Sequence, residues 1–251
     1  MQVRELEKMT SPEVRAAIDG GQDTAVIAFG SLEQHGEHLP IGTDAFLGDE
    51  FGHRVAAHLN AILIPTVRVG FAEHHMPFAG TMTLSKETVR RIAVEYAHSL
   101  ARHGFRRIVF VPTHGGNIEP LAHAVQDCME LKGVSVISVV SNFSRQVLQE
   151  GTVGVAANLG IPPEESGAHA GEWETSIMLK LTPDLVQMDR AQAGYTGDMG
   201  AGVEALLADG TPIDELTPTG VLGDPRRAEA DRGEAYIQAL TNVAVSVLEE
   251  K

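Results

Sequence analysis

Apolar positions along the first 140 residues come in two rhythms. Four short, nearly unbroken apolar runs, at 24–29, 61–67, 107–111 and 134–140, have the length and composition of buried strands. Between them, apolar residues recur three and four apart and predict helices over 45–59, 86–102 and 118–131. In the second of these, Val89, Ile92, Ala93, Tyr96 and Leu100 form the predicted inward face, with Ser85 as N-cap. Ahead of the first strand, Ser11 as cap and Pro12 at the first helical position predict a helix reaching Ile18, before Gly20 and Gly21. After Lys180 the pattern weakens. Residues 184–224, rich in Gly, Asp, Thr and Pro, read as an ordered loop near the site or at a subunit contact, with a short helix near 203–208. A helix over 228–250 closes the chain. Strand alternating with helix predicts one domain over 1–251: α/β, three layers α/β/α, with a largely parallel central sheet. In such sheets ligands bind beyond the carboxyl ends of the strands.

Composition narrows the function classes. Thirty-four acidic against 19 basic side chains give a net charge of −15, which argues against nucleic acid or an anionic membrane as partner. A single cysteine, Cys128, excludes an internal disulfide framework and a cysteine-rich zinc module. No apolar run approaches the ~20 residues of a membrane span, and the start shows no signal-peptide stretch. The expectation is a soluble cytoplasmic protein acting on a small molecule. Eleven histidines direct attention to metal chemistry.

The polar residues crowd into segments that follow the predicted strands. After the first come Glu33 and His35, two apart and therefore on one face if extended, with Asp44 able to return after the Pro40 turn. After the third comes His114-Gly115-Gly116-Asn117, a strand tip with a flexible turn and Asn117 suited to cap the next helix. After the second, His74-His75 border the same crevice, and at most one of the two faces it. Farther on stands Gly167-Ala168-His169-Ala170-Gly171-Glu172-Trp173-Glu174. If a helix begins near His169, then His169, Glu172 and Ser176 share a face and Glu174 turns away. Trp173, the only Trp, either covers a flat substrate or packs in the core. Walker A, H-E-x-x-H, G-x-S-x-G and C-x-x-C patterns are absent.

Taken together, GSLEQHGEHLPIGTDA, HGGN and HAGEWETSIML, followed by GVLGDPRRAEADRGE, resemble the ordered signatures of the creatininase (creatinine amidohydrolase) family, over residues 30–234. The resemblance implies an α/β fold, two divalent ions (Zn with Zn, Mn or Fe) and a homo-oligomer, a hexamer or other multimer. It implies Glu33, His35, Asp44 and His114 as metal ligands, with Asp44 bridging. Creatininases proper carry a Glu where this chain has Gly116 and an apolar residue where it has Glu172, so Glu172 is expected to supply the missing ligand. Glu37 and Ala79 stand where Pro is usual. The pattern resembles the wider, non-creatininase branch, which includes formamidopyrimidine deformylase and mycofactocin-precursor peptidase.

The expected chemistry is a two-metal amidohydrolase in which a metal-activated hydroxide cleaves a non-peptide C–N bond in a small cyclic amide or formamide. His169 is expected to carry a proton to the leaving amine, and Glu174 to orient a ligating histidine. His75, Trp173 and Asn117 are expected around the substrate. Ring opening of a cyclic ketone on the same site, and a non-catalytic metal- or metabolite-binding protein, are the competing readings.

Overall fold

In the computed structural model, which describes residues 3–140 and 151–249, the sheet is centred on β2 (Thr24–Phe29). β3 (Ile62–Val67) and the two-residue β1 (Arg4–Glu5) extend it on one side. β4 (Arg107–Pro112) and β5 (Ser135–Ser138) extend it on the other, and every pairing is parallel. Parallel strands need crossovers, here α2 (Thr43–Leu59), α3 (Lys86–His103) and α4 (Ile118–Asp127). The chain goes from β2 to one side and then to the other, so the direction of winding reverses between β2 and β4. A crevice opens beyond the strand ends at that point.

Alternation along the central strands builds the three layers. Ala25, Ile27 and Phe29 of β2, with Ile108 and Phe110 of β4, pack on the face that carries α1 (Ser11–Asp19), α3 and α4. Val26, Ala28, Val109 and Val111 face the other way, toward α2, α7 (Glu172–Leu181) and α10 (Ala230–Glu249). This is the single-domain α/β architecture with a parallel sheet that the sequence pattern predicts. The helical ends differ in detail. The cap of α1 is Thr10, whose hydroxyl and backbone N–H both bond Glu13, and not Ser11. In α3, Val89, Ala93, Ala97 and Leu100 are buried while Tyr96 is 40% exposed. Two alanines let that helix approach the sheet closely and leave the bulky Tyr96 on its flank. Ser85 does cap α3, accepting from Thr88 N–H.

Beyond β5 come α5 (Gly154–Asn158) and α6 (Pro163–Ser166), both too short for helical periodicity to show. Residues 184–224 hold α8 (Met199–Leu207) and α9 (Ile213–Leu216), whose Leu206 and Ile213 form a satellite cluster with Leu222. The arm reaches the site: Leu222 bridges to His169 and to Tyr195. Residue 250, the expected end of the last helix, lies outside the described residues. Among the described residues, no helix is long and apolar enough to cross a membrane.

Candidate metal centre

Three local features bring the polar residues together. The chain leaves β2 at Gly30, where a Cβ would stand 2.8 Å from the backbone of Ala45. This close approach sets the first turn of α2, and so Asp44, directly against the strand end. Thr113, just past β4, donates from its hydroxyl to the Asp44 carbonyl (2.7 Å), and His114 follows it. Register Phe29↔Pro112 keeps the two strand ends level. The segment after β2 then carries Glu33 and His35 inward, both fully buried.

Their donor atoms form three overlapping groups: Glu33, Asp44 and His114; His35, Asp44 and Glu174; and Glu33, His35 and His169, each within 4.8 Å. His114 Nδ1 is 3.2 Å from both Glu33 Oε2 and Asp44 Oδ2. His35 Nε2 is 3.5 Å from Asp44 Oδ1 and 3.7 Å from Glu174 Oε2. Ligands at about 2.0–2.1 Å from a tetrahedral ion stand roughly 3.3–3.4 Å apart. The observed spacings therefore suit atoms that share an ion.

The histidine tautomers point the same way. His114 Nε2–H donates to the Phe71 carbonyl (2.7 Å), His35 Nδ1–H to the Glu33 carbonyl (3.1 Å) and His169 Nε2–H to the Gln34 carbonyl (2.8 Å). A carbonyl can only accept, so each ring keeps its proton on the outer nitrogen. The inner nitrogens, His114 Nδ1, His35 Nε2 and His169 Nδ1, point at the carboxylates and would offer lone pairs to an ion held there, the arrangement of metal-ligating histidines.

Charge completes the fit. Among the described residues, the ion-pair partners of Glu33, Asp44 and Glu174 are all histidines. Buried carboxylates cost several kcal/mol each unless paired. Glu33 Oε1 and Oε2, Asp44 Oδ2 and His35 Nε2 are buried without a hydrogen-bond partner. Burial opposes charge on His35, yet Glu174, Asp44 and Glu33 outweigh it and push the ring up to about 10. For His114, Glu33 and Asp44 likewise overcome burial and hold it well above its ordinary range. Burial, reinforced by Asp44 and Glu33, lifts Glu174 to about 7 against the pull of His35. Among the described residues, no lysine or arginine pairs with these carboxylates, which instead draw protons onto His35 and His114, and divalent cations fit in place of those protons.

The third segment corrects the sequence reading. Ala170 is left-handed (φ +52°), and α7 begins only at Glu172. His169 therefore lies outside the helix, and counting helical positions from it fails. Glu172 is not brought to the group. Its Oε2 accepts from Tyr236 Oη (2.6 Å), its Oε1 from Ser176 Oγ (2.8 Å), and Arg232 Nη1 lies 3.4 Å away. Glu174, expected to turn away, faces His35, and its Oε2 accepts from Ala170 N–H (2.6 Å). Gly116 cannot carry a ligand: a Cβ there would collide with the Phe71 carbonyl and the His114 ring.

The three residues expected around the substrate separate. Trp173 lines the cavity over the centre while also packing against the core. Asn117 lies outside that lining and is no side-chain cap. It accepts from Phe71 N–H and donates to the carbonyls of Phe29 and Gly30, tying β2, α4 and the loop after β3 together. His75 sits behind Glu33, with Nε2 3.3 Å from Glu33 Oε1, outside the cavity lining. The sequence reading missed Gln34. Its amide donates to His75 Nδ1 (2.8 Å) and to the Gly220 carbonyl (2.9 Å), joining the arm to Glu33 through His75. The signal available was its place between Glu33 and His35.

Comparison with known proteins gives a consistent picture. The family model for creatininase, described as creatinine amidohydrolase, matches residues 7–248. A mycofactocin precursor peptide peptidase from Mycobacterium ulcerans (strain Agy99) is 32% identical over 230 residues, covering 88% of this chain and 82% of the relative. A creatinine amidohydrolase from Pseudomonas putida is 26% identical over 265 residues, covering 97% and 95%. A solved structure described as "Creatininase Mn" superposes with a TM-score of 0.74 at 25% identity, covering 99% of this chain and 98% of its own.

Proposed function

The chain belongs to the creatininase family, and from that premise we propose that it is a metal-dependent hydrolase of an amide C–N bond. The observation that carries the reading is Asp44, shared between two triads in which Glu33 Oε1 and Oε2, Asp44 Oδ2 and His35 Nε2 lack hydrogen-bond partners. Glu33, Asp44 and His114 would hold one divalent ion, and His35, Asp44 and Glu174 a second. Histidine with carboxylate suits zinc, manganese or iron(II). A bound pair of this kind supplies a water activated near neutral pH and polarises the scissile carbonyl.

The protein's own groups do the rest. Backbone carbonyls of Phe71 and Glu33 lock the rings of His114 and His35, so their inner nitrogens need no reorientation. His169 is tethered through Nε2 to Gln34, leaving Nδ1 free to take a proton and pass it to the leaving nitrogen. Small cyclic amides and formamides are the first substrate class. A peptide bond is the second, favoured by the similarity to a peptide peptidase. The test is elemental analysis of protein grown metal-replete, together with turnover of a panel of formamides, lactams and short peptides. About two transition-metal ions per chain and chelator-sensitive amide hydrolysis are expected. No tightly bound metal, or a loaded protein inert across the panel, would overturn the reading.

A further inference from the structure

Beside the carboxylate–histidine group lies a chamber of about 170 Å³ with two unlike ends. One end is Glu33, Asp44, His114, His169 and Glu174. The rest is mostly apolar, with Thr152 among its lining. Leu47 and Phe51, one turn apart on α2, and Leu240 and Val243, one turn apart on α10, line it together with Trp173 and Val139. Apart from the charged group itself, no charged side chain lines it among the described residues. Thr113, a polar neighbour, already spends its hydroxyl on the Asp44 carbonyl.

Protein interiors are close-packed, with few voids larger than a water molecule. A recess of this size that opens beside the reacting groups suits a ligand. An apolar cavity of about 150 Å³ holds a benzene molecule. From this geometry we propose that the chamber is the specificity subsite. It takes an uncharged apolar group, a single aromatic ring or a branched aliphatic chain, attached within a bond or two of the scissile carbonyl. The proposal rests on the reading of the centre as a metal-dependent hydrolase and adds the substrate class. A tail with its own carboxylate gains nothing from the lining, because among the described residues no lysine or arginine lines the chamber.

Hydroxamates test this on the metal-loaded protein, since the headgroup binds the ions whatever its tail. Calorimetry compares acetohydroxamate, phenylacetohydroxamate and succinohydroxamate. Burial of the phenyl ring is expected to tighten binding at least about tenfold over acetohydroxamate, and the succinyl tail to give no gain. In Leu240→Gln the phenyl advantage is expected to fall below about threefold. Binding of acetohydroxamate to that variant shows that it is folded, and Val243→Thr is the alternative should it not fold. Equal affinity for the acetyl and phenylacetyl compounds, or a preference for the succinyl tail, overturns the subsite alone. Failure of every hydroxamate to bind loaded protein overturns the hydrolase reading and the subsite with it.

Discussion

Glu33, His35, Asp44 and His114 hang from the carboxyl ends of β2 and β4 and the first turn of α2, whereas His169 and Glu174 come from a turn that leaves the sheet altogether. The first group is placed by regular structure: parallel register, a helix N-terminus that favours Asp44's charge, and short clamps such as Thr113 to the Asp44 carbonyl. The second is placed by exceptions. Ala170 is left-handed, the arm pairs with His169 through Leu222, and a single N–H steadies Glu174. Glu172 and Glu174 show the consequence. Both are buried, yet one is matched by two hydroxyls and an arginine, and the other faces His35. Residue type and spacing are nearly the same for the two. The backbone between His169 and Glu172 decides which is structural and which is available to an ion.

Removing the residue on which the halves meet is expected to have the largest effect. Asp44 belongs to both triads, so Asp44→Asn should empty both metal positions and lower amide turnover by roughly 10³-fold or more, the several kcal/mol such ions supply. Elemental analysis and turnover on one preparation check this. A variant that keeps both ions would show that Asp44 is not shared.

Exchanging the roles of the two glutamates is the next test. Glu174→Gln should lose one ion and most activity without lowering the urea midpoint of the metal-free protein, because it removes a buried charge that burial already disfavours. Glu172→Gln should keep the ions but lose about 1–3 kcal/mol of stability through the Tyr236, Ser176 and Arg232 contacts. The opposite pair of results would return Glu172 to the centre. On the strand side, Gly116→Ala should push the Phe71 carbonyl off His114 and weaken metal binding about 10–100-fold, as loss of a ligand's outer hydrogen bond does. Unchanged affinity in a chelator titration would mean that this tether does not matter.

The same contrast explains what was legible in the sequence. β2 was readable to the residue, because six consecutive residues at a sheet centre leave no other element for TAVIAF. Glu33, His35, Asp44 and His114 were readable as neighbours because strand ends converge by rule. Glu174 was not, since its placement depends on the φ of Ala170, a residue type that rarely goes left-handed. Asn117 was misread for a related reason. A polar residue at a helix start suits a cap, yet its amide is taken by the backbone of Phe29, Gly30 and Phe71, segments remote in sequence. Tyr96 and Ala97 exchanged places because periodicity counts apolar residues and does not see that a close helix–sheet contact favours the smaller one.

The smallest expected effect isolates the turn itself. Ala170→Gly relieves a left-handed L-residue, worth about 1–2 kcal/mol. It also frees the unfolded chain, which costs about 0.4–1 kcal/mol, and deletes a fully buried methyl, which costs about 0.8 kcal/mol. These terms nearly cancel, so the urea midpoint should hardly move. Ala93→Gly in α3 removes an equally buried methyl with no strain to relieve, and adds a helix-propensity loss of about 1 kcal/mol. It should cost about 2 kcal/mol. The informative quantity is the difference between the two substitutions, measured under one set of conditions. If Ala170→Gly proves as destabilising as Ala93→Gly, the turn carries no strain, and the placement of Glu174 needs a different cause.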